Sequence, residues 1–481
     1  MLYKLIIKYK SLSRPAKASL WFIGCYIIQR GIQFIGMPIY TRIMTSEEYG
    51  IYSVFLSWFN LICVFTSLSI YNGTFNKAMV KYEEKRDSYI SSIQYLTFAV
   101  SVLLSVVFVI FHYQIESWTG YGLKFILLLC VHLILYPSLQ YWSQKQRFLF
   151  AYKGLVAVTL INSLASIGLG VAFVLLSDDK GFTLVAVTVA VQAIINIILF
   201  CSLAKNGKTV YNKEYWHWTT VTAIPLIPHY LSEILLGHAD RLMINQLCGL
   251  GQAGIYNIVY QISMVMTILR TGINGAFTPW LYYSLKKKRY LDIRRVTKLI
   301  TILMWSLTVL FMLVGPEILK FVAPPTYYEA IIDIPAIMIG CYFIFVYVLF
   351  LNIEIYFEQN QYVAVASVVS AILNVILNYI CISAFGYLAA GYTTMISYMT
   401  MAIFHYLFLK KIIHNNEELK VVFDFKFIFM SSIALVIVGV ALLKVYEILF
   451  LRTGIIICTF GLFVWKRDVV RDLLTTLKKK N

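Results

Sequence analysis

Apolar runs of about twenty residues recur along nearly the whole chain, separated by short polar breaks. A helix rises about 1.5 Å per residue, so about twenty apolar residues cross the ~30 Å hydrocarbon core of a bilayer. The runs predict helices near 18–40, 50–72, 88–112, 121–143, 152–177, 181–204, 218–239, 252–279, 293–316, 331–353, 360–384, 388–411, 424–444 and 446–465. That makes about fourteen transmembrane helices, of which the last two are the least clearly separated. A membrane barrel would show short strands of alternating hydrophobicity instead. The fold class expected is therefore an all-α polytopic membrane protein. The first run is too long for a cleaved signal, contains Gln29 and Arg30, and lacks a small-residue cleavage site.

A second pattern repeats on a longer scale. Residues 41–52 read TRIMTSEEYGIY, and residues 239–256 read ADRLMINQLCGLGQAGIY. Arg42, Met44 and Gly50-Ile51-Tyr52 flank the junction of spans one and two. Arg241, Met243 and Gly254-Ile255-Tyr256 flank that of spans seven and eight. Six spans separate the copies, so both halves cross the membrane in the same sense. That is a parallel repeat about an axis along the membrane normal. The segment 205–217, KNGKTVYNKEYWH, is the most polar break near the middle and ends against Trp218. The expected organisation is an N-lobe at 1–204 (helices 1–6), a cytoplasmic linker at 205–217, a C-lobe at 218–411 (helices 7–12), and helices 13–14 with a basic tail at 412–481. Two six-helix lobes would face each other across a central cavity.

Composition agrees with the membrane assignment. Hydrophobic residues make up 60% of the 481, charged residues 13%, and the mean hydropathy is +0.75. The net charge of +18 could point to nucleic acid, but its distribution does not. On the predicted topology 32 Lys and Arg fall on one side, including Lys77, Lys81, Arg147, Lys205, Lys286 to Arg289 and the C-terminal tail, against seven on the other. This is the positive-inside bias, which puts both termini in the cytoplasm. The partner it implies is the bilayer, and no nucleic acid. The run KKKR at 286–289 reads as a topogenic, lipid-facing stretch or as an attractor of anionic groups. The eight cysteines are scattered through apolar runs without a Cys-x-x-Cys, and the seven histidines have no zinc-like spacing. No metal site, catalytic residue or cofactor is expected.

Charged and polar side chains inside the spans are expensive, so each is a candidate for function. Arg30 lies mid-way along span one, on one helical face with Tyr26 and Gln33. Arg270 shares a face of span eight with Thr267 and Asn274. Span six carries Thr188, Gln192 and Asn196 at four-residue spacing, and span eleven carries Ser367, Ser370, Asn374 and Asn378. Such stripes either line a wet cavity or bond helices together. Pro225 and Pro228 break span seven. His229 and Glu233 follow four apart, as either a static pair or an ion-coupling site. Asp240 and Arg241, near the outer end of that span, read as an interfacial pair or cap. Glu354 and Glu358 read as solvated residues at the cytoplasmic end of span ten.

PIYTRIMTSEEYGIYSVF at 38–55 resembles the N-terminal signature of the polysaccharide (O-antigen and capsule repeat-unit) flippase family. IPLIPHYLSEILLGHADRLMINQLCGLGQAGIYNIVYQI at 224–262 is similar to that family's central signature, and GYLAAGYTTMISY at 386–398 to its late Gly/Ala-rich helix start. The family belongs to the multidrug/oligosaccharidyl-lipid/polysaccharide exporter superfamily. The resemblance implies six plus six helices, often with two more, in a MATE-like arrangement. It also implies translocation of an undecaprenyl-diphosphate-linked oligosaccharide from the cytoplasmic to the outer leaflet of a bacterial plasma membrane. A polysaccharide polymerase and chain-length machinery are then candidate partners. Related lipid-linked precursor flippases place arginines on their first and eighth helices, which here carry Arg30 and Arg270. On this reading the two guanidiniums bind the diphosphate, whose oxygens their planar forks match. Tyr26, Gln33, Gln192, Asn196, Asn274, Asn374 and Asn378 are candidates for the sugar hydroxyls.

No Gly-x-x-x-x-Gly-Lys-Ser/Thr loop is present, so ATP is not expected as the direct energy source, which leaves an H⁺ or Na⁺ gradient or consumption of the product outside. An ion-coupled multidrug antiporter is the nearest alternative, although two arginines would repel cations. A membrane polymerase or glycosyltransferase would need a large outer loop or an acidic catalytic motif, and neither is visible. The chain is therefore not expected to be an enzyme.

Overall fold

The structure, a computed structural model, describes residues 13–446 together with 448 and 454. The span expected at 446–465 lies outside them apart from isolated positions, as do the basic tail, Cys458, Lys4, Lys8 and Lys10. The long helices are α1 (Arg14–Ile43), α2 (Ser46–Thr66), α3 (Arg86–Ile110), α4 (Leu123–Phe148), α5 (Tyr152–Leu175) and α6 (Lys180–Gly207). There follow α7 (Lys213–Ala223), α8 (Ile227–Cys248), α9 (Leu250–Lys286) and α10 (Tyr290–Val322). The last four are α11 (Ile334–Tyr356), α12 (Asn360–Phe385), α13 (Ala389–Asn415) and α14 (Phe425–Val445). Each span expected before residue 445 coincides with helix, the seventh being the α7–α8 pair. No strand occurs among the described residues.

Ten described helical segments are long and apolar enough to cross a membrane. The exceptions among the expected spans are α1, α8 and α9. Their length is sufficient, but they carry Arg30, then His229 to Arg241, then Arg270. Arg30 and Arg270 thus lie on helices that fall short in hydropathy, whereas Glu354 and His405 lie on helices that do not.

The described residues form two compact units that divide between Ile234 and Leu235. In the first unit α6 packs against α2, α3, α4 and α5, and α1 lies on α5. The sequence TSEE starts α2 with a reciprocal cap. Glu48 N–H donates to Thr45 Oγ1 at 3.2 Å, and Thr45 N–H donates to Glu48 Oε2 at 2.7 Å. The polar segment 205–217 does not stand apart as a free linker. Its aromatic end is built into this unit: Trp216 Nε1 donates to Ser92 O at 3.1 Å, and Tyr82, Tyr89, Tyr215 and Trp218 form one ring cluster.

In the second unit α11 is the most enclosed helix, packed on α9, α10, α13 and α14. It is apolar on all sides, as a central helix must be. Two groups expected at the surface are inside this unit. Glu354 is fully buried and lies 2.9 Å from His405 Nδ1, because α13 brings the histidine against the end of α11. Asp240 is also fully buried, and Arg241 is only 3% exposed. They are not an interfacial pair. The Asp240 carboxylate accepts bonds from Tyr256 Oη (2.6 Å), Asn378 Nδ2 (2.7 Å) and Thr394 Oγ1 (2.9 Å). Arg241 donates from Nε to Asn257 Oδ1 at 3.0 Å and covers the Tyr260 ring at 4.0 Å. The cluster ties α8, α9, α12 and α13 together. Helices carrying Tyr256, Asn378 and Thr394 cover the end of α8, and their donors make burial of the carboxylate tolerable.

The repeated motif has a shared local geometry. Arg42 Nη1 donates to Pro38 O at 2.8 Å, and Arg241 Nη1 donates to Gly237 O, in both cases the carbonyl four residues back. Each copy therefore folds its arginine back along its own helix onto a carbonyl one turn earlier.

Replacing Asp240 by Ala leaves three donors unpaired and Arg241 without its neighbouring counter-charge. A loss of ~3 kcal/mol is expected, with Asp240→Asn less damaging. Thermal unfolding of the full chain in detergent checks this; an Asp240→Ala protein as stable as the wild type would refute it.

Candidate functional site

On α1, Arg30 Nη1 donates to Gln33 Oε1 at 3.1 Å, and its guanidinium stands 5.3 Å from the Tyr26 ring centroid. The three residues share one turn of one face because their spacing is four and three. Arg30 and Tyr26 are partly exposed, and Gln33 is exposed. This face is separate from the one carrying exposed Ile28 and Ile35, and from the one where Cys25 and Gly36 are buried. Helix α1 thus has a packing side, a lipid-type side and a narrow polar strip. No carboxylate pairs with Arg30 among the described residues. Its guanidinium retains donors for a ligand or water.

Arg270 lies well within the 37-residue helix α9 and is partly exposed. Among the described residues it makes no hydrogen bond or ion pair. Asn274, one turn on, is already engaged: its Oδ1 accepts from Asn352 Nδ2 at 2.9 Å and from Thr278 Oγ1 at 3.2 Å. The two arginines belong to different compact units, one on each polar membrane helix.

The remaining polar candidates are placed differently. Gln192 of α6 meets His132 Nε2 of α4 at 2.9 Å. Asn196 is fully buried, and neither amide atom has a partner. Asn374 Nδ2 donates to Thr394 Oγ1 at 3.0 Å, and Asn378 donates to Asp240, so both asparagines sit inside the buried cluster of the second unit. Gln192, Asn374 and Asn378 therefore bond helix to helix. Pro225 occupies the 3-10 turn Ile224–Leu226 between α7 and α8, and Pro228 is the second residue of α8. Directly after this break His229 Nε2 stands 3.9 Å from Glu233 Oε1, and the Glu233 side chain is 48% exposed.

One carboxylate escaped the sequence reading. Asp333 precedes α11, is fully buried, and neither of its oxygens has a partner among the described residues. Gly391 lets it approach the start of α13: a Cβ on that glycine would be 3.2 Å from the Asp333 carboxyl carbon. A buried carboxylate without donors takes up a proton or a cation. The signal available was a lone acid before Ile-Pro at the head of an apolar run, which reads equally as a helix cap.

The chemistry these groups offer is recognition. Each arginine presents a planar fork of N–H donors suited to phosphate oxygens. No group of three or more His, Cys, Asp or Glu that could hold a metal occurs among the described residues.

Residues 16–284 match the family described as polysaccharide biosynthesis protein. Protein 1 of the Lsg locus of Haemophilus influenzae (strain Rd) is 26% identical over 161 residues, 32% of this chain. The match spans only 38% of that relative's length. Among solved structures, the lipid II flippase MurJ in an inward closed conformation superposes with a TM-score of 0.70 at 14% identity, over 94% of this chain and 99% of its own. An inward-facing multidrug resistance MATE family transporter of the MOP superfamily gives 0.60 at 9% identity, over 81% and 96%. At these identities the likeness is one of fold. With the matched family covering more than half the chain, and with membrane-length helices throughout, this multi-span membrane protein belongs to the polysaccharide biosynthesis protein family.

Proposed function

We propose that the protein moves a polyprenyl-diphosphate-linked oligosaccharide repeat unit from the cytoplasmic to the outer leaflet of a bacterial inner membrane, with both termini in the cytoplasm. Arg30 and Arg270 receive the diphosphate, and alternating access presents them first to one side of the membrane and then to the other. The observation that carries this reading is the pair of partly exposed guanidiniums on membrane helices, neither with a carboxylate partner among the described residues. Such a charge is costly in lipid and calls for an anion. The same cations disfavour the multidrug-cation alternative. In this reading Tyr26 and Gln33, on the Arg30 strip, meet the sugar, with the amide nitrogen of Asn274 beside Arg270.

Cells lacking the protein accumulate lipid-linked repeat units on the cytoplasmic face and regain export with the wild-type chain. Arg30→Ala and Arg270→Ala each lower rescue about tenfold or more, since a charge-assisted phosphate bond is worth ~1.5–3 kcal/mol. Full rescue by both variants at normal expression would reject the anion site.

Coupling to an H⁺ or Na⁺ gradient is part of the same proposal. Its two candidate groups are the His229–Glu233 pair at the α7–α8 break and the unpartnered Asp333. Glu233→Gln or Asp333→Asn should make export insensitive to an ionophore that slows the wild type. Wild-type-like ionophore sensitivity in both would remove them from the coupling role.

A further inference from the structure

The second unit holds a groove that none of the steps above uses. It has a volume of about 810 Å³ and lies between α11, α13 and α14, walled by apolar side chains that include Phe343, Val346, Ala402, Phe429 and Ile437. Lys426, near the start of α14, stands at one end.

Two contacts of α14 give the groove its shape. At Gly439 the helix comes close to α11: a Cβ there would stand 2.5 Å from Ile339. At the other end bulky rings hold the elements apart. Phe350 meets Phe423 and Phe425 at centroid distances of 5.7 and 6.1 Å, and Tyr406 meets Phe425 at 5.3 Å. Small side chains at Ala402 and Ser432 leave the space between unfilled. The groove is therefore set by packed rings and one glycine contact, and its walls cannot close over it without displacing that aromatic floor.

Its dimensions restrict the occupant. Along α14 the lining runs from Phe425 to Ile437, which is ~18 Å at the helical rise. That is little more than half of the ~30 Å hydrocarbon core, hence about one leaflet. If a methylene fills about the share of a liquid water molecule, ~30 Å³, the volume takes about 27 carbons. This is the scale of the two chains of a phospholipid and about half of an undecaprenyl chain.

The charge at the mouth restricts the headgroup. The acid nearest Lys426 in the chain, Asp424, is already held by Arg294 Nη2 at 3.1 Å, by Lys298 at 4.0 Å and by the Phe427 N–H at 3.2 Å. Burial opposes its charge, but these partners keep its carboxyl below the usual range. Lys426 is exposed and has no hydrogen-bond or ion-pair partner among the described residues. The mouth is therefore net positive with one cation uncommitted, at the depth where a phosphate would sit.

We propose that this groove binds one anionic diacyl phospholipid, with its chains along α14 and its phosphate at Lys426. The test uses the full chain, purified from membranes and exposed to equal amounts of phosphatidylglycerol and phosphatidylethanolamine, with retained lipid read by native mass spectrometry. Phosphatidylglycerol should be retained about fivefold over phosphatidylethanolamine. Lys426→Glu should reduce that preference at least threefold. Lys410→Glu, the same charge change at an exposed α13 position outside the groove, should leave it unchanged. Ile433→Trp, which fills the groove from its exposed rim, should lower retention of both lipids while the protein stays folded by its melting curve. Equal retention of the two lipids by the wild type, an unchanged ratio in Lys426→Glu, or recovery of a polyprenyl phosphate in place of the diacyl lipid would each overturn the proposal. No transported substrate enters this assay, so its outcome is separate from that of the flippase reading.

Discussion

A charge within a bilayer must find a partner, water or a way out of the hydrocarbon, and the rest of this structure is arranged around that requirement. The protein meets it in two ways. In the second unit Asp240, Arg241, Glu354 and His405 are enclosed among helices and bonded to one another's neighbours. Such groups hold helices in register at considerable desolvation cost, and they are not available to a ligand. Arg30 and Arg270 are different. They lie on helices too polar to count as ordinary spans, and they retain unused donors toward an accessible surface. That contrast, more than the presence of charge itself, is what supports the proposal that the two arginines recognise a ligand.

The same distinction sorts the polar stripes. Asn374, Asn378 and Gln192 complete helix–helix bonds, in keeping with the usual use of amides in membranes. Asp333 and Asn196 are buried with unpartnered polar atoms. They are the places where the packing leaves polar capacity unmet, and in a moving transporter such places are where an ion or a rearranged helix would enter. Helix α8 is entered through a 3-10 turn at Pro225 and has a proline in its first turn and a His–Glu pair directly after the break.

Most of the fold was legible in the sequence because the bilayer imposes one rule on every segment, namely enough apolar residues to cross it. That rule locates α1 to α6 and α9 to α14, with helix ends displaced by up to seven residues. It is blind to what covers a helix end. Asp240 and Arg241 looked interfacial because they lie near the end of a span, yet helices distant in sequence bury them with donors from Tyr256, Asn378 and Thr394. Glu354 was misread for the same reason: its partner His405 is 51 residues away. The segment 205–217 looked like a linker by polarity, whereas its rings pack into the first unit. Arg30, Tyr26 and Gln33, by contrast, were legible as a group, because helical spacing alone puts them on one face. The arginine motif repeated at 42 and 241 was legible as a duplication, but the shared contact to the carbonyl four residues back required the structure.

The central claim is that two membrane guanidiniums recognise a diphosphate. Its most direct measurement is the binding of undecaprenyl diphosphate, against undecaprenol without phosphate, to the purified full chain and to the Arg30→Ala/Arg270→Ala double variant. The account predicts at least tenfold preference for the diphosphate in the wild type, lost in a double variant of unchanged thermal stability. Equal discrimination by both proteins, or none by the wild type, would contradict it.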